Sequence, residues 1–398
     1  MTSPLHELHR AAQAEIQPYG SIEVVSTFGE PQAEYAAVRK SVGLMDLPQR
    51  GFLEITGRDR LSFLNSIISA ETWDKQTKQG LPAGRWTYSF LLNLRGRIVA
   101  DMNVLELGDR TLIELDRPLV EPLRQVLEAY HFAENVKMAD RSADLHEVAL
   151  HGPGALDLPP IPTLQAGTCS AVRILEHDVI AWRDDVTGSP GILLIIPTDA
   201  ARAVWMQLIT RFGQPDQVGK RRLRPIGWAA FNATRIEAGR PIFGIDIEAA
   251  PIASAMPARQ QREQVEAADA PQGMLPAETG HLERAVSLRK CYVGQEIVAR
   301  MHARGQVARR IVGIRMQDDA LPVAGTQILD ADSNVVGLIT SSTNSPLLSN
   351  TAIALGVVKR SLFEPGQVLR IPAEGSVRTG TVVSTPFIPL DARANSAP

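Results

Sequence analysis

The sequence predicts an α+β protein in which two related halves precede a small all-β domain. Two segments, "GFLEITGRDRLSFL" and "HEVALHGPGALDL", each have the pattern of a strand, a glycine turn and the start of a helix, and together they form a weak internal repeat. From about Val307 the pattern changes to short strands separated by Gly, Pro, Asn and Asp, which is typical of a barrel or a sandwich. A chain of 398 residues is long enough for two or three such domains.

The first half carries clear helix and strand patterns. In "RDRLSFLNSII" leucine and isoleucine recur at the spacing of one helical face, which predicts a helix. "RWTYSFLLNLRGRIVADMNVLEL" predicts two strands joined by a turn at residues 94–96. "EPLRQVLEAY" predicts a second helix.

The second half repeats these patterns and ends in a less regular stretch. "VIAWRDDVTGSPGILLIIP" predicts a strand pair around a glycine-containing turn, and "ARAVWMQLITRFG" predicts a helix. Residues 249–275 are rich in Ala, Pro and Gln and show little periodicity, so we predict an insertion or a mobile loop there. We therefore expect two α+β subdomains in residues 1–306, the β domain in 307–390 and a frayed tail in 391–398.

Composition and absent motifs limit the classes of function. With a formal net charge of −3, the chain as a whole is not a polycation of the kind that binds nucleic acid. Two cysteines without a Cys-x-x-Cys pair favour a reducing compartment and offer no cysteine site for a metal. No dinucleotide fingerprint, Walker loop, nucleophile elbow, signal peptide or membrane-length apolar run occurs. We expect a cytoplasmic monomer that has no bound metal, no membrane contact and no stable contact with nucleic acid.

Six blocks in chain order carry a resemblance to a known family. They are "PLHELHRAAQAEIQPYG", "EYAAVRKSVGLMDL", "FLEITGRDRLSFL", "RWTYSFLLNLRGRIVADMNV", "RIEAGRPIFGIDI" and "KCYVGQEIVARMHARGQVARRIVG". Together they resemble the aminomethyltransferase-related folate-binding superfamily, and the Cys-Tyr-x-Gly-Gln-Glu element resembles its YgfZ branch. "RIEAG" is shared with the glycine-cleavage T-proteins and indicates only the superfamily. The resemblance implies a three-domain cloverleaf around a central channel, with two interleaved α+β domains, a C-terminal β-barrel, and tetrahydrofolate or a derivative in the channel.

The YgfZ resemblance also implies a function. It implies a tetrahydrofolate-binding accessory protein in iron–sulfur cluster assembly or maintenance, with downstream effects on tRNA modification. Its partners would be folate and iron–sulfur proteins or assembly factors. Two alternatives remain open. One is a folate-dependent one-carbon transferase, such as an aminomethyltransferase or a demethylase, and the other is a folate-binding scaffold that does no chemistry.

Asp101 and Tyr88 are the first candidate site residues that the resemblance implies. Asp101 follows "GRIVA" where the T-proteins carry an acid near the reactive folate nitrogens, a place from which a carboxylate can orient or transfer a proton. Tyr88 lies in the preceding strand and offers a ring to a pterin and a hydroxyl to its edge. The alternatives are a surface aspartate in a turn and a tyrosine of the core.

Phe231 and Glu237 are two further candidates for folate binding. Phe231 occupies the place where YgfZ relatives carry a folate-contacting aromatic residue. Glu237, in "RIEAG", could accept two parallel N–H bonds from the amino-amidine edge of a pterin. The alternatives are a packed helix residue for Phe231 and an ion pair with an arginine such as Arg235 for Glu237.

Cys291 is the candidate catalytic thiol. Nearby cations raise the thiolate fraction of a cysteine, so we predict that Cys291 is accessible and more reactive than Cys169. Tyr292 and Gln295, in the same block, are predicted to bind the folate. The alternative is a small buried hydrophobic residue. Lys290 stands where the family usually has glycine before the cysteine, and lysine resists the backbone angles that glycine allows.

Two substitutions argue against a glycine-cleavage aminomethyltransferase. In "DVTGSPG", Ser189 stands where the T-proteins carry a glutamate that contacts the pterin. Losing a charge-assisted hydrogen bond costs on the order of 1.5–3 kcal/mol. Phe231 stands where the T-proteins carry an arginine. Asp101 argues the other way because it retains the T-protein acid, but we predict binding without that particular reaction.

Overall fold

The computed structural model describes residues 2–257, 272–305 and 307–390. The helices in these residues are α1 His6–Ala11, α2 Pro31–Lys40, α3 Arg60–Asn65, α4 Val120–Tyr130, α5 Ala201–Phe212, α6 Trp228–Glu237, α7 Leu282–Ala285 and α8 Gln295–Arg304. Each of these helices is too short or too polar to cross a lipid bilayer.

The first α+β unit is built on a five-stranded antiparallel sheet. The first ten strands along the chain are β1 Glu15–Tyr19, β2 Ile22–Thr27, β3 Gly43–Asp46, β4 Arg50–Thr56, β5 Trp73–Asp74, β6 Gln79–Gly80, β7 Arg85–Leu92, β8 Ile98–Glu106, β9 Thr111–Asp116 and β10 Lys137–Asp140. Five of them form the sheet in the order β10-β4-β9-β8-β7. Its core lies between the sheet and helices α3 and α4, because the apolar side chains of all three elements meet there.

The second α+β unit takes one of its strands from the first part of the chain. The next five strands are β11 Leu145–His151, β12 Cys169–Ile174, β13 His177–Arg183, β14 Gly191–Pro197 and β15 Arg224–Pro225. With β3 they form a six-stranded sheet in the order β12-β13-β14-β11-β3-β15. Helix α5 packs on this sheet through Val204, Trp205 and Leu208. The two units are therefore interleaved in sequence.

The third unit is a closed β-barrel. Its strands are β16 Arg309–Met316, β17 Gln327–Leu329, β18 Val335–Ser345, β19 Thr351–Lys359, β20 Val368–Ala373 and β21 Ser376–Val383. They close in the order β16-β19-β18-β17-β20-β21. The predicted α+β class with a C-terminal barrel is confirmed.

Two local predictions differ from the structure. The helix expected over "RDRLSFLNSII" ends at Asn65, because the chain turns there and the ammonium group of Lys290 binds the carbonyl oxygens of Asn65 and Ile68. The helix expected after "HGPG" is a single 3-10 turn at Ala155–Asp157, since the prolines at 159 and 160 lack N–H groups and cannot continue it.

The predicted insertion or mobile loop at residues 249–275 is packed at both of its ends. The N–H of Ala250 donates to the carbonyl of Ile98 at 2.7 Å, and the N–H of Ile98 donates to the carbonyl of Met274 at 2.8 Å. A 3-10 turn follows at Ile252–Ala255, and the hydroxyl of Tyr130 donates to the carbonyl of Ala255. Residues 258–271 and the predicted frayed tail, 391–398, lie outside the described residues.

Helix α6, which contains most of "RIEAG", joins all three units through two buried charges. The guanidinium of Arg235 pairs with Asp246, and both side chains are 0% exposed. Asp246 also accepts hydrogen bonds from the barrel hydroxyls of Thr340 at 2.5 Å and Ser341 at 2.6 Å. Since a buried charge without a partner is costly, this network fixes the barrel against α6.

Glu237, two residues along α6, makes the second network. Its carboxylate pairs with Arg39 of α2 at 2.6 Å and accepts hydrogen bonds from the hydroxyl of Tyr35 at 2.8 and 2.9 Å. It also accepts a hydrogen bond from Ser345 of the barrel. Both carboxylate oxygens are therefore occupied inside the protein.

We predict that Arg235→Met lowers the free energy of unfolding by about 3–5 kcal/mol, because it leaves the carboxylate of Asp246 buried without its counterion. Urea unfolding measures this loss. Arg173→Met is the matched control, since the side chain of Arg173 is 66% exposed and its ion pair with Glu176 lies at the surface. The control should cost under about 1 kcal/mol. Equal losses in the two variants would show that the buried pair does not hold the units together.

Candidate functional site

Tyr88 and Asp101 are brought together by the pairing of β7 with β8. In this antiparallel pair Tyr88 lies opposite Asn103, and Asp101 lies two residues away on the same face. The hydroxyl of Tyr88 donates to Oδ2 of Asp101 at 2.8 Å. Oδ1 of Asp101 is buried and has no hydrogen-bond partner among the described residues. An enclosed acceptor without a donor is unusual in a folded protein and marks a place where a ligand can supply the donor.

The surroundings of Asp101 keep its carboxyl partly protonated at neutral pH. Burial raises the pKa of Asp101 to about 7, and the neighbouring carboxylates of Asp116 and Glu114 add to the rise. The guanidinium of Arg50 opposes it, but Arg50 is also paired with Glu114 and, at 2.6 Å, with Asp116. A carboxyl that titrates near pH 7 can both accept and donate a proton under physiological conditions.

A second buried carboxyl, that of Glu147, lies where the two α+β sheets meet. Burial and the neighbouring Glu114 hold the pKa of Glu147 well above its usual range. The indole N–H of Trp182 donates to Glu147 at 2.9 Å, and the amide of Asn103 donates to Glu114 at 2.7 Å. The second oxygen of Glu147 is buried and has no hydrogen-bond partner among the described residues.

Sequence reasoning missed Arg50, Glu114 and Asp116, although a signal for them was present. In "TLIELD" the two acids alternate on one face of an apolar strand, which indicates charges turned towards other buried groups. Arg50 opens the neighbouring strand β4 and meets both of them across the sheet. No comparable local pattern marks Glu147.

Arg284 covers the aromatic side of the site. Its guanidinium carbon lies 4.6 Å from the ring centre of Tyr88 and 5.6 Å from that of Trp86. Its ion pair with Asp184 of the second unit measures 2.7 Å. The ring of His281 lies 5.6 Å from that of Tyr88, and burial together with Arg284 lowers the pKa of His281 to about 4. His281 is thus neutral at pH 7 and lies in a region of positive potential.

Phe231 and Glu237 are placed differently from the prediction. Phe231 is 8% exposed and packs against Trp228 and His151, with ring centres 5.4 and 5.6 Å apart. This is the packed alternative. Glu237 is 0% exposed and fully engaged, so its predicted role at a pterin edge is not supported by the geometry. The expected type of structural ion pair is present, but the partner is Arg39, because Arg235 is committed to Asp246.

Ser189 lies beside the same network. It is 3% exposed, and Arg39 donates to its hydroxyl at 3.3 Å and to the carbonyl of Thr187 at 2.8 Å. A guanidinium therefore lies against Ser189. The carboxylate that balances this guanidinium is that of Glu237.

Cys291 lies at the surface, whereas Cys169 is buried. Burial raises the pKa of the Cys169 thiol to about 12, so that cysteine is unreactive at neutral pH. The predicted accessibility of Cys291 is confirmed, and its greater reactivity stays a prediction. Lys290 points inward: its ammonium group binds backbone carbonyls at 2.6 and 2.5 Å, and burial lowers its pKa to about 7. Lys290 therefore caps the end of α3.

Tyr292 and Gln295 connect the cysteine block to the strand pair that carries Asp101. Tyr292 is 7% exposed and belongs to the same apolar cluster as Tyr88, and its hydroxyl has no partner among the described residues. The backbone N–H of Gln295 binds the carbonyl of Tyr292 at 3.2 Å as α8 begins. Gly294 between them has φ +82°, and a Cβ there would lie 2.4 Å from the carbonyl of Asn93. Only glycine lets α8 approach the β7–β8 turn this closely.

We predict that Asp101→Asn removes a pH dependence of stability. The folded pKa of Asp101 lies above the unfolded value of 3.8, so its contribution to stability is present below pH 3.8 and is lost as pH rises towards 7. Between pH 5 and 8 the free energy of unfolding of the variant should therefore rise, relative to that of the wild type, by at least about 1 kcal/mol, since one pKa unit corresponds to about 1.4 kcal/mol. Urea unfolding at several pH values tests this, with the exposed Asp199→Asn as the control. Parallel pH profiles for the wild type and Asp101→Asn would contradict it.

Comparison with known proteins gives the family. Residues 5–255 match the family model described as the GCVT N-terminal domain, and residues 309–388 match the glycine cleavage T-protein C-terminal barrel domain. The aminomethyltransferase of Saccharopolyspora erythraea is 26% identical, over 97% of each chain, and that of Prosthecochloris aestuarii is 26% identical, over 96% of this chain and 98% of its own.

A solved structure has the same fold. The glycine cleavage system aminomethyltransferase T of Bartonella henselae superposes with a TM-score of 0.80 at 21% identity, over 98% of each chain. The family model alone covers more than half of the 398 residues, and the barrel model covers most of the remainder that follows the cysteine block. The chain therefore belongs to the glycine cleavage T-protein (GCVT) family.

Proposed function

We propose that this protein is a tetrahydrofolate-dependent one-carbon transferase that uses Asp101 for proton transfer. The observation that carries the proposal is the buried, unpartnered Oδ1 of Asp101 on a carboxyl whose pKa lies near 7. Membership of the T-protein family supports it, since the family typically uses tetrahydrofolate and the relatives named above are aminomethyltransferases.

The residues around Asp101 fit a reduced folate. Reduced folate supplies a nucleophilic nitrogen that carries the one-carbon unit, and its N–H groups are donors of the kind that Oδ1 of Asp101 lacks. The guanidinium of Arg284 lies over the rings of Tyr88 and Trp86, and it is itself a planar group on which a flat ring can stack. The fit is poorer at the amino-amidine edge, because Ser189 is neutral and the carboxylate of Glu237 is fully occupied.

Tyr88, Asp101 and Arg50 have separate roles in the proposed proton transfer. Tyr88 keeps its own proton, because burial and the Asp101 carboxylate hold its pKa well above the usual range, so it is a constant donor to Oδ2. This bond fixes the orientation of the carboxyl and leaves Oδ1 to take or give a proton. Arg50 limits the rise of the Asp101 pKa, which keeps the carboxyl near its midpoint at neutral pH.

The reaction need not be that of the glycine cleavage system. The resemblance implies that Ser189 and Phe231 stand where the T-proteins carry a glutamate and an arginine, and Phe231 is packed in the core. We therefore expect a different one-carbon donor. Reconstitution with an aminomethyl-lipoyl carrier and tetrahydrofolate tests this point, and turnover at the rate of a T-protein would contradict it.

A second candidate is the accessory function in iron–sulfur cluster assembly or maintenance. The exposed Cys291 favours it, because this residue belongs to the Cys-Tyr-x-Gly-Gln-Glu block that resembles the YgfZ branch. In that case folate binding beside Asp101 accompanies a thiol function at the surface, and the effects on tRNA modification are downstream. The YgfZ assignment rests on this block of residues.

We predict that the full chain binds tetrahydrofolate saturably and that Asp101→Asn weakens the binding. Losing a hydrogen bond to a charged group costs about 1.5–3 kcal/mol, which corresponds to a dissociation constant raised roughly 10- to 150-fold. Calorimetry under anaerobic conditions measures both constants. Asp199→Asn, at an exposed position, should bind as the wild type does. Absence of binding at millimolar tetrahydrofolate by a folded wild-type chain would end the proposal.

For the second candidate we predict that Cys291→Ser fails to restore iron–sulfur enzyme activity in a strain that lacks the gene, whereas the wild type restores it. Cys169→Ser is the matched control, because Cys169 is buried and its thiol is protonated at neutral pH. Abundance of each variant is measured by immunoblot so that a folding defect is recognised. Full complementation by Cys291→Ser would remove the thiol from the function.

A further inference from the structure

The charged side chains beside the candidate site include one more arginine than aspartate. Asp184 pairs with Arg284 at 2.7 Å, and Asp185 pairs with Arg183 at 2.9 Å. Arg240 lies near both carboxylates and near Arg284, yet its guanidinium donates no hydrogen bond to any residue in the described part of the chain. Each aspartate thus has an arginine of its own, and the charge of Arg240 is the excess.

The charge of Arg240 is held in a half-buried place where water screens it poorly. Burial and the neighbouring Arg284 lower the pKa of Arg240, and both arginines lower the pKa of His281. His281 donates from Nε2 to the carbonyl of Pro241 at 3.1 Å, which fixes its ring beside Arg240. Three side chains therefore lie in a local field that favours an anion.

Space for a small ligand adjoins this charge. A cavity of about 240 Å³ lies between the end of α6, residues 279–281, strand β16 and the segment after β21. Arg240 and His281 both contribute to its lining, together with Thr279 and Thr385. The cavity is large enough for a ligand of several non-hydrogen atoms. One cation and few other polar groups therefore line this cavity.

Contacts through Tyr88 relate this charge to Asp101. The rings of His281 and Tyr88 are 5.6 Å apart, Arg284 lies 4.6 Å above Tyr88, and Tyr88 is hydrogen-bonded to Asp101. Arginine is well suited to bind a carboxylate because its planar fork can form two parallel hydrogen bonds. A carboxylate held in the cavity would lie beside His281, whose ring contacts that of Tyr88.

We propose that Arg240, supported by Arg284, binds the carboxylate of the second substrate of the proposed reaction, a small amino acid or related organic acid. This inference rests on the proposed function for the identity of the ligand as a substrate, but the anion site itself needs no folate. The glutamyl carboxylate of folate has the same chemistry and is the competing source. We favour the second substrate because Arg284 stacks directly on the tyrosine that binds Asp101.

The test is a titration of the full chain with small probes at constant ionic strength. Trp86 lies under Arg284, so its fluorescence reports on binding, and calorimetry gives the constants. N-methylglycine and acetate carry the carboxylate, whereas N-methylethylamine lacks it. We expect saturable binding of the two carboxylates and none of the amine. Arg240→Met should weaken carboxylate binding at least about tenfold, since a charged hydrogen bond contributes about 1.5–3 kcal/mol. The exposed Arg173→Met should change nothing.

Two further readouts keep the outcome decisive. In Arg240→Met the pKa of His281, followed by NMR, should rise above about 4, because one of the cations that lowers it is gone. Tetrahydrofolate and 6-methyltetrahydropterin, which lacks the glutamate, are compared in wild type and Arg240→Met. If Arg240→Met loses affinity for tetrahydrofolate but not for 6-methyltetrahydropterin, Arg240 and Arg284 bind the glutamate of folate. That result would overturn the second-substrate proposal.

Failure of this proposal is distinguishable from failure of the proposed function. If wild type binds tetrahydrofolate but neither carboxylate probe, or if Arg240→Met binds the probes as tightly as wild type, the carboxylate site is wrong and the folate function stands. If the probes bind with the expected dependence on Arg240 but tetrahydrofolate does not bind at all, the anion site stands and its assignment to a folate-dependent reaction is overturned.

Discussion

The rest of the structure depends on the two buried charges of helix α6. Arg235 is neutralised by an aspartate whose other oxygen binds two barrel hydroxyls, and Glu237 is neutralised by an arginine of α2 while it binds a barrel serine. Neither charge can be separated from its partner without a large desolvation cost. The helix therefore fixes the barrel and helix α2 in one arrangement. Strand β3 adds a covalent reason for that arrangement, because the first part of the chain must cross into the second sheet.

This arrangement creates an electrostatic contrast around Tyr88. On one side Asp101, Glu114 and Asp116 surround the single guanidinium of Arg50, and a carboxyl there is kept partly protonated. On the other side Arg284 and Arg240 share the neighbourhood of Asp184, and a histidine is kept neutral. An acid that exchanges protons thus lies close to a region that attracts anions. That combination suits a reaction in which a carboxylate-bearing molecule is held while a proton moves at another atom.

The sequence was sufficient for the α+β class and the barrel, because these follow from strand periodicity and turn residues. Tyr88 and Asp101 were candidates because of the family resemblance, and the register of β7 and β8 brings them together. The sequence was insufficient for Arg240, Arg284 and Glu147, whose importance depends on contacts between segments that are distant in the sequence. Lys290 illustrates the reason. Beside Cys291 in sequence, it predicts a cation at the thiol, yet the free carbonyls at the end of α3 bind its ammonium group inside the protein. The prediction that Glu237 contacts a pterin failed to foresee its ion pair with Arg39 for the same reason. A motif of charged residues does not show which charges are already paired.

The central claim is that Asp101 is an acid–base group poised at neutral pH by its burial. Its carboxyl can be followed directly by ¹³C NMR of the full chain labelled at aspartate, with Asp101→Asn used to assign the resonance. A midpoint near pH 7 is the result that the structure predicts. In Tyr88→Phe the midpoint should rise further, because the hydrogen bond from Tyr88 lowers the pKa. A midpoint below pH 5 in the wild type would contradict the account, because Asp101 would then be a permanent carboxylate and could not donate a proton under physiological conditions.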